Sequence, residues 1–375
     1  PLPDGEEHDI ATLKRWLRQF IAVRDEEGAE RCVVTAIEAG ATPEQMADML
    51  FAAVTDFRYV DTGHPADFTN KAFEALDIAG WEYAAPALTS LVRGYARATR
   101  REESNAWRHP VDLVTLLEAA FARLSEIELN WTADEGWEGE AALAETLLED
   151  DPAASVDALL SALEDGVAPV QVAAAVSYAA ALRIARFHTS NEFGDWDTAL
   201  HTFTFANAME QGLRRTPSWE ILRGVFDAAM STYLDRFLNI PPARLPRRNG
   251  QGQEPEALLA ELAQALDRQQ QVNEAGTLVA QYLHSSDGRD GGGDAERLLA
   301  QLGHLLLRED RDFHTIQAVE AAFRQFSRRK GTAAGAVALV AAARYLAAHA
   351  PTVRAQEQTY SIALRLNRGE RLFEG

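Results

Sequence analysis

The sequence predicts an all-α protein, a multi-helix bundle built from two duplicated helical halves plus a C-terminal helical segment. Three observations carry that expectation. Apolar residues recur at helical spacing along most of the chain, and no run alternates in the manner of a strand. Ala, Leu, Glu, Arg and Gln, all good helix formers, fill most segments. Two segments also return. "AIEAGATPEQ" (Ala36–Gln45) recurs as "ALEDGVAPVQ" (Ala162–Gln171), sharing A-[IL]-E-x-G-x-x-P-x-Q. "HPADFTNKAFEAL" (His64–Leu76) recurs as "HTFTFANAMEQGL" (His201–Leu213), sharing H-x5-N-x5-L.

The elements follow from the punctuation. In "AGATPEQM", Gly40 ends one helix, Thr42 caps the next, Pro43 takes its first position and Gln45 closes a capping box. The repeats assign 1–150 to a first helical unit, 151–250 to a second and 251–375 to the C-terminal segment. Breaks are expected at the acidic stretch 133–151, at the polar Leu245–Glu256 and at the glycine-rich loop Ser285–Asp294. The second copy carries an insertion around Arg186–Leu200. A weaker third echo, "HTIQAVEAAFRQFSRR" (His314–Arg329), resembles the segment from His201. Such a long, irregular period suits a duplicated multi-helix unit, not a short-unit solenoid.

Composition removes several functions. A net charge of −21 argues against nucleic acid and against anionic membranes as partners. The single cysteine, Cys32, excludes a disulfide framework, a Cys-rich zinc site and a cysteine-ligated iron–sulfur cluster. The longest apolar run, Ala333–Ala343, is too short to span a bilayer. The acidic, polar "PLPDGEEHDI" shows no signal peptide, so a cytoplasmic location is expected. There is no E-x-x-H, H-E-x-x-H, G-x-S-x-G or C-x-x-C either.

What remains is histidine. A duplication that lays His64 and His201 on equivalent helices lets both converge on one metal ion, and His314 stands in a third similar setting. Each has an aspartate close before it (Asp61, Asp197, Asp312), as a metal-bound imidazole requires of its second nitrogen. Helix capping explains the same aspartates. His188, inside the insertion, is a further candidate ligand. His109 reads as a residue at a helix start, His304 as core, and His8, His284 and His349 as peripheral. Only Lys14, Lys71 and Lys330 are lysines among 36 basic residues. Lys71 lies two helical turns after His64 on the same face, so as a neutral or carboxylated amine it is a candidate oxygen or nitrogen donor. A surface lysine with its stem on apolar neighbours is the alternative.

Together "TDFRYVDTGHPADFTNKAFEALD", "NAWRHPVDLV", "RFHTSNEF" with "ALHTFTFANA", and "DFHTIQAVEAAF" resemble the questin-oxidase-like family over most of the chain. That resemblance implies a mononuclear non-haem iron oxygenase acting on an aromatic polyketide or quinone-type substrate, by ring cleavage or Baeyer–Villiger-type oxidation. The metal ligands it implies here are His64, His201, His314 and His188, with Lys71 as the candidate lysine. Related regions occur beside Rieske domains; this chain lacks the cysteines for one, so any electrons would come from an external donor. Other divalent metals suit the same donors. Phe57, Tyr59, Phe187, Trp196, Phe203 and Phe205 are candidates to line a pocket for a planar substrate. A metal-dependent hydrolase or lyase on the same histidines, and a non-enzymatic helical scaffold or partner subunit, remain as rival readings.

Overall fold

The computed structural model describes residues 9–132, 137–246, 253–286 and 293–371. His8, part of the acidic stretch (133–136), part of the polar break (247–252) and the heart of the expected glycine-rich loop (287–292) lie outside the described residues. Among the described residues all regular structure is helical, in seventeen α-helices without a strand. The chain forms two compact units, Pro1–Ala180 with His201–Arg236, and Ala181–Leu200 with Phe237–Gly375.

In the first unit, α1 (Ile10–Ala22), α2 (Glu26–Glu38) and α3 (Pro43–Thr55) are followed by α4 (His64–Ala79) and α5 (Ala84–Arg97). Helix α1 shows how the sequence makes these elements. Asp9 caps it by accepting from the Thr12 N–H, and Leu13, Leu17 and Ile21, one turn apart, are buried. Burying each such side chain stabilises the fold by roughly 1.5–3 kcal/mol. This stripe packs α1 against α2, α3 and α5, while α4 packs on α3 and α5. After an irregular stretch come α6 (Leu113–Leu124), α7 (Glu140–Leu147) and α8 (Pro152–Glu164). Helix α7 lies inside the acidic stretch expected as a break. The segment is acidic only on its outer face, and Leu143, Ala144 and Leu147 bury against α8. The chain continues into α9 (Pro169–Ala185), α10 (Phe193–Arg215) and α11 (Trp219–Leu234); α11 packs on α3, α6 and α8.

Both copies of the first motif fold into the same local turn. Helices α2 and α8 each end in a glycine in the left-handed region, Gly40 at φ 80° and Gly166 at φ 85°. The bonds Ala41 N–H to Ala36 and Val167 N–H to Ala162, each 3.0 Å, close equivalent helix ends. Gln45 and Gln171 then reach back to the backbone N–H of Thr42 (2.8 Å) and Ala168 (3.2 Å).

The second unit contains α12 (Pro255–Ala265), α13 (Val272–Ser286), α14 (Gly293–Leu307), α15 (Phe313–Arg328), α16 (Ala333–Ala348) and α17 (Ala355–Asn367). Helix α16, "AAGAVALVAAARYLAA", is apolar all round and buried along almost its whole length between α13 and α15. That is the pattern of a central core helix. No helix among the described residues is long and apolar enough to cross a membrane.

Candidate metal centre

His64 is the first residue of α4, and an unusual turn delivers it. Tyr59 (φ 42°), Asp61 (φ 44°) and Thr62 (φ 57°) all sit in the left-handed region, followed by Gly63 at φ 89°. Three non-glycine residues there cost about 1–2 kcal/mol each unless neighbours fix them. Neighbours do. The Asp61 N–H donates to Thr99 O (2.8 Å), the Arg101 N–H donates to Arg58 O (3.0 Å), and the Arg58 N–H donates to Glu102 Oε2 (2.9 Å). Tyr59 is wedged between Trp107 (ring centroids 6.2 Å apart) and Phe205 (5.0 Å, edge-on). Gly63 has no alternative, because a Cβ there would meet Phe205 Cβ at 2.7 Å.

Beneath the turn, Arg58 anchors it to α11. Its guanidinium donates to Asp227 Oδ1 (2.7 Å) and to Thr55 O (2.7 Å), with both side chains buried. Burial pushes the Asp227 carboxyl up to about 7 against the pull of Arg58. Tyr59, fully enclosed, is raised well above the ordinary phenol value by the same loss of water.

The turn brings His64 Nε2 to 3.0 Å from His201 Nε2, with the rings edge to face (centroids 4.6 Å, 87°). This spacing suits a direct hydrogen bond between opposite tautomers, or two neutral imidazoles facing one cation. His64 Nδ1 is 4.0 Å from Asp61 Oδ2. His201 sits well inside α10, half-buried, on a helix otherwise buried from Thr202 to Leu213.

His314 opens α15. Asp312 caps this helix through the Thr315 N–H (3.3 Å) and sets its other oxygen 3.2 Å from His314 Nδ1. His64 and His201 in the first unit and His314 in the second are each half-buried, and each can offer one ring nitrogen to a metal ion. The donors suit a divalent transition metal. Three neutral imidazoles leave coordination positions open, and at two of them a carboxylate stands near the remaining ring nitrogen.

The other expected residues lie as follows. His188 belongs to the loop before α10, where Nδ1 meets Ser190 Oγ (2.7 Å) and accepts the Ser190 N–H (3.2 Å). Lys71 Nζ lies 3.0 Å from Glu74 Oε2, both side chains largely covered, which gives the ammonium a counter-ion on its own helix. Asp197, expected beside His201, accepts from the Tyr345 hydroxyl (2.7 Å) and stands 3.7 Å from His349 Nε2. His349 is buried rather than peripheral, its Nδ1 2.8 Å from Tyr345 O at the end of α16, and burial lowers its pKa. His304 is exposed rather than core, because Leu298, Leu302 and Leu305 take the inner face of α14. His109 and His284 are exposed. Tyr59, Phe203 and Phe205 in the first unit, and Phe187 and Trp196 in the second, are buried core residues; Phe57 lies under the Arg100 guanidinium at 3.5 Å.

Sequence reasoning missed the clamp formed by Thr99, Arg101, Glu102 and Trp107. Its one visible signal is the run of glycine and histidine directly after a β-branched, polar stretch. Compared with family models, curated proteins and solved structures, the chain matches none.

Proposed function

We propose that the chain is a metal-dependent oxidoreductase in which His64, His201 and His314 hold a mononuclear non-haem iron for oxygen-dependent oxidation of an aromatic, quinone-type substrate. The observation that carries the reading is the 3.0 Å approach of His64 Nε2 to His201 Nε2 at the end of a turn held in the left-handed region. Backbone strain that survives only because neighbours fix it belongs characteristically to functional sites. Imidazole donors suit iron or manganese as well as zinc, and iron is proposed from the likeness of the histidine segments to the questin-oxidase-like family. When bound, such an ion supplies sites for oxygen and for an oxygen-bearing substrate. The residues of this chain hold and orient it: Asp312 fixes the His314 ring through Nδ1, and the Arg58–Asp227 pair fixes the turn that aims His64.

The reaction class rests on the likeness of the histidine segments to the questin-oxidase-like family. Lys71 Nζ stands 3.0 Å from Glu74 Oε2, and the ligands named in this reading are the three histidines. The test is anaerobic reconstitution with Fe(II), Mn(II) or Zn(II), followed by oxygen uptake with a hydroxyanthraquinone. Iron-dependent uptake supports the proposal. Tight zinc with no oxygen consumed would point to a hydrolase or lyase on the same donors, and failure to bind any metal to a structural role for the histidines.

A further inference from the structure

Two of the three histidines carry the same two companions. In the first unit the Phe68 ring, one turn along α4, stands 6.1 Å from the His64 ring, and the exposed Asp61 carboxylate lies 4.0 Å from Nδ1. In the second unit the Phe313 ring lies 3.9 Å from the His314 ring, tilted by 32°, with the exposed Asp312 carboxylate 3.2 Å from Nδ1. Both phenyl rings reach solvent. Among the described residues only three phenylalanines are exposed, Phe68 at 39%, Phe313 at 41% and Phe237 at 61%. Close to His201 in sequence, by contrast, Phe203 and Phe205 are enclosed in the core. A phenylalanine left in water forgoes part of the roughly 1.5–3 kcal/mol that full burial contributes. Core packing therefore explains Phe203 and Phe205, but not Phe68 or Phe313.

The chemistry of the rings indicates the ligand. A half-exposed phenyl offers apolar area and a quadrupole but no hydrogen-bond donor, which suits another flat aromatic ring, stacked offset or edge-on. A divalent ion on three neutral imidazoles brings two positive charges, and the Asp61 and Asp312 carboxylates offset them. In a chain of net −21, such surroundings favour an uncharged ligand over an anionic one.

We propose that Phe68 and Phe313 are the substrate-contacting residues of the metal centre, each presenting a phenyl ring beside its histidine to a flat, uncharged aromatic. This rests on the reading that His64 and His314 serve one ion, because only then do both rings meet the same molecule. It adds to that reading the residues that select the substrate and the exclusion of aromatic carboxylates.

Equilibrium dialysis of 1,8-dihydroxyanthraquinone and of anthraquinone-2-carboxylate against the Zn(II)-loaded full chain tests it at neutral pH, with zinc affinity measured on the same samples. The uncharged quinone should bind more tightly than the carboxylate. Phe68→Ala and Phe313→Ala should each weaken its binding about tenfold, Phe68→Leu less, and Phe237→Ala not at all, with zinc affinity unchanged in every variant. Wild-type quinone affinity in Phe68→Ala and Phe313→Ala, an equal loss in Phe237→Ala, or tighter binding of the carboxylate would each overturn the proposal. Zinc uptake without quinone binding overturns it too and leaves the metal reading standing. A chain that takes up no zinc overturns the metal reading, and this inference with it.

Discussion

In the first copy of the histidine segment, α4 begins at His64, and the backbone just before it is held at positive φ by a clamp of hydrogen bonds and aromatic rings. In the second copy, α10 begins at Phe193 and runs straight through His201 with no break. Local chemistry explains the difference. Gly63 and Pro65 flank His64 and fix a helix start, whereas Leu200 and Thr202 flank His201 and simply continue one. The preceding motif folds alike in both copies, so the divergence is confined to the approach to the histidine. One histidine is placed by regular helix and the other by a strained turn.

The sharpest way to break the comparison is to remove each histidine in turn. His201→Ala should abolish metal binding, a loss beyond the ~100-fold that supporting residues can cost, and leave helix content intact because α10 does not depend on it. His64→Ala should lose metal to the same extent. Calorimetric titration with Fe(II) or Mn(II), alongside far-UV circular dichroism, reads both. Wild-type affinity in either variant would mean that the two histidines do not share one ion.

Next in size is Gly63→Ala. It forces a side chain into the left-handed region and against Phe205, and should cost roughly 2–4 kcal/mol in denaturant unfolding. The matching position in the second copy, Leu200, already bears a side chain within regular helix. A neutral Gly63→Ala would show that the turn is not strained.

The buried anchor of the turn gives a pH test. Because the folded pKa of Asp227 is raised to about 7, its contribution to stability is fully present below the ordinary carboxylate pKa and is lost as pH rises through about 7. Unfolding free energy from this group should fall by roughly 2 kcal/mol between pH 5 and pH 8. Asp227→Asn should flatten that slope and change little at pH 5. An unchanged slope would mean that Arg58 keeps the carboxylate ionised throughout.

How far the sequence revealed this design differs between its parts. The helical class, the two Gly–Pro–Gln turns and the three histidine segments were legible because each rests on local signals: periodicity, positive-φ glycine and proline at a helix start. The strained turn was not, because Tyr59, Asp61 and Thr62 are not residues that announce left-handed backbone, and only Thr99, Arg101 and Trp107, distant in sequence, hold them there. Proximity along the chain misled at Asp197, whose carboxylate is engaged by Tyr345 and His349 from α16. It misled at His304 and His349 too, where apolar neighbours in sequence did not decide which face each histidine took.

The smallest effect concerns the aspartates. Asp312→Asn keeps an oxygen for the α15 cap but weakens the acceptor at His314 Nδ1. Metal affinity should fall about tenfold with stability nearly unchanged. Asp61→Asn should cost less, since its carboxylate is 4.0 Å from His64 Nδ1 against 3.2 Å at His314. Equal losses would equate the two contacts.

X-ray absorption at the metal edge of the iron-reconstituted wild type, compared with His201→Ala, tests the central claim most directly. The account predicts one ion per chain, imidazole scattering from three nitrogens at about 2.1 Å, and its disappearance in the variant. A chain that takes up no metal, or bound metal whose scattering is the same with and without His201, would contradict it.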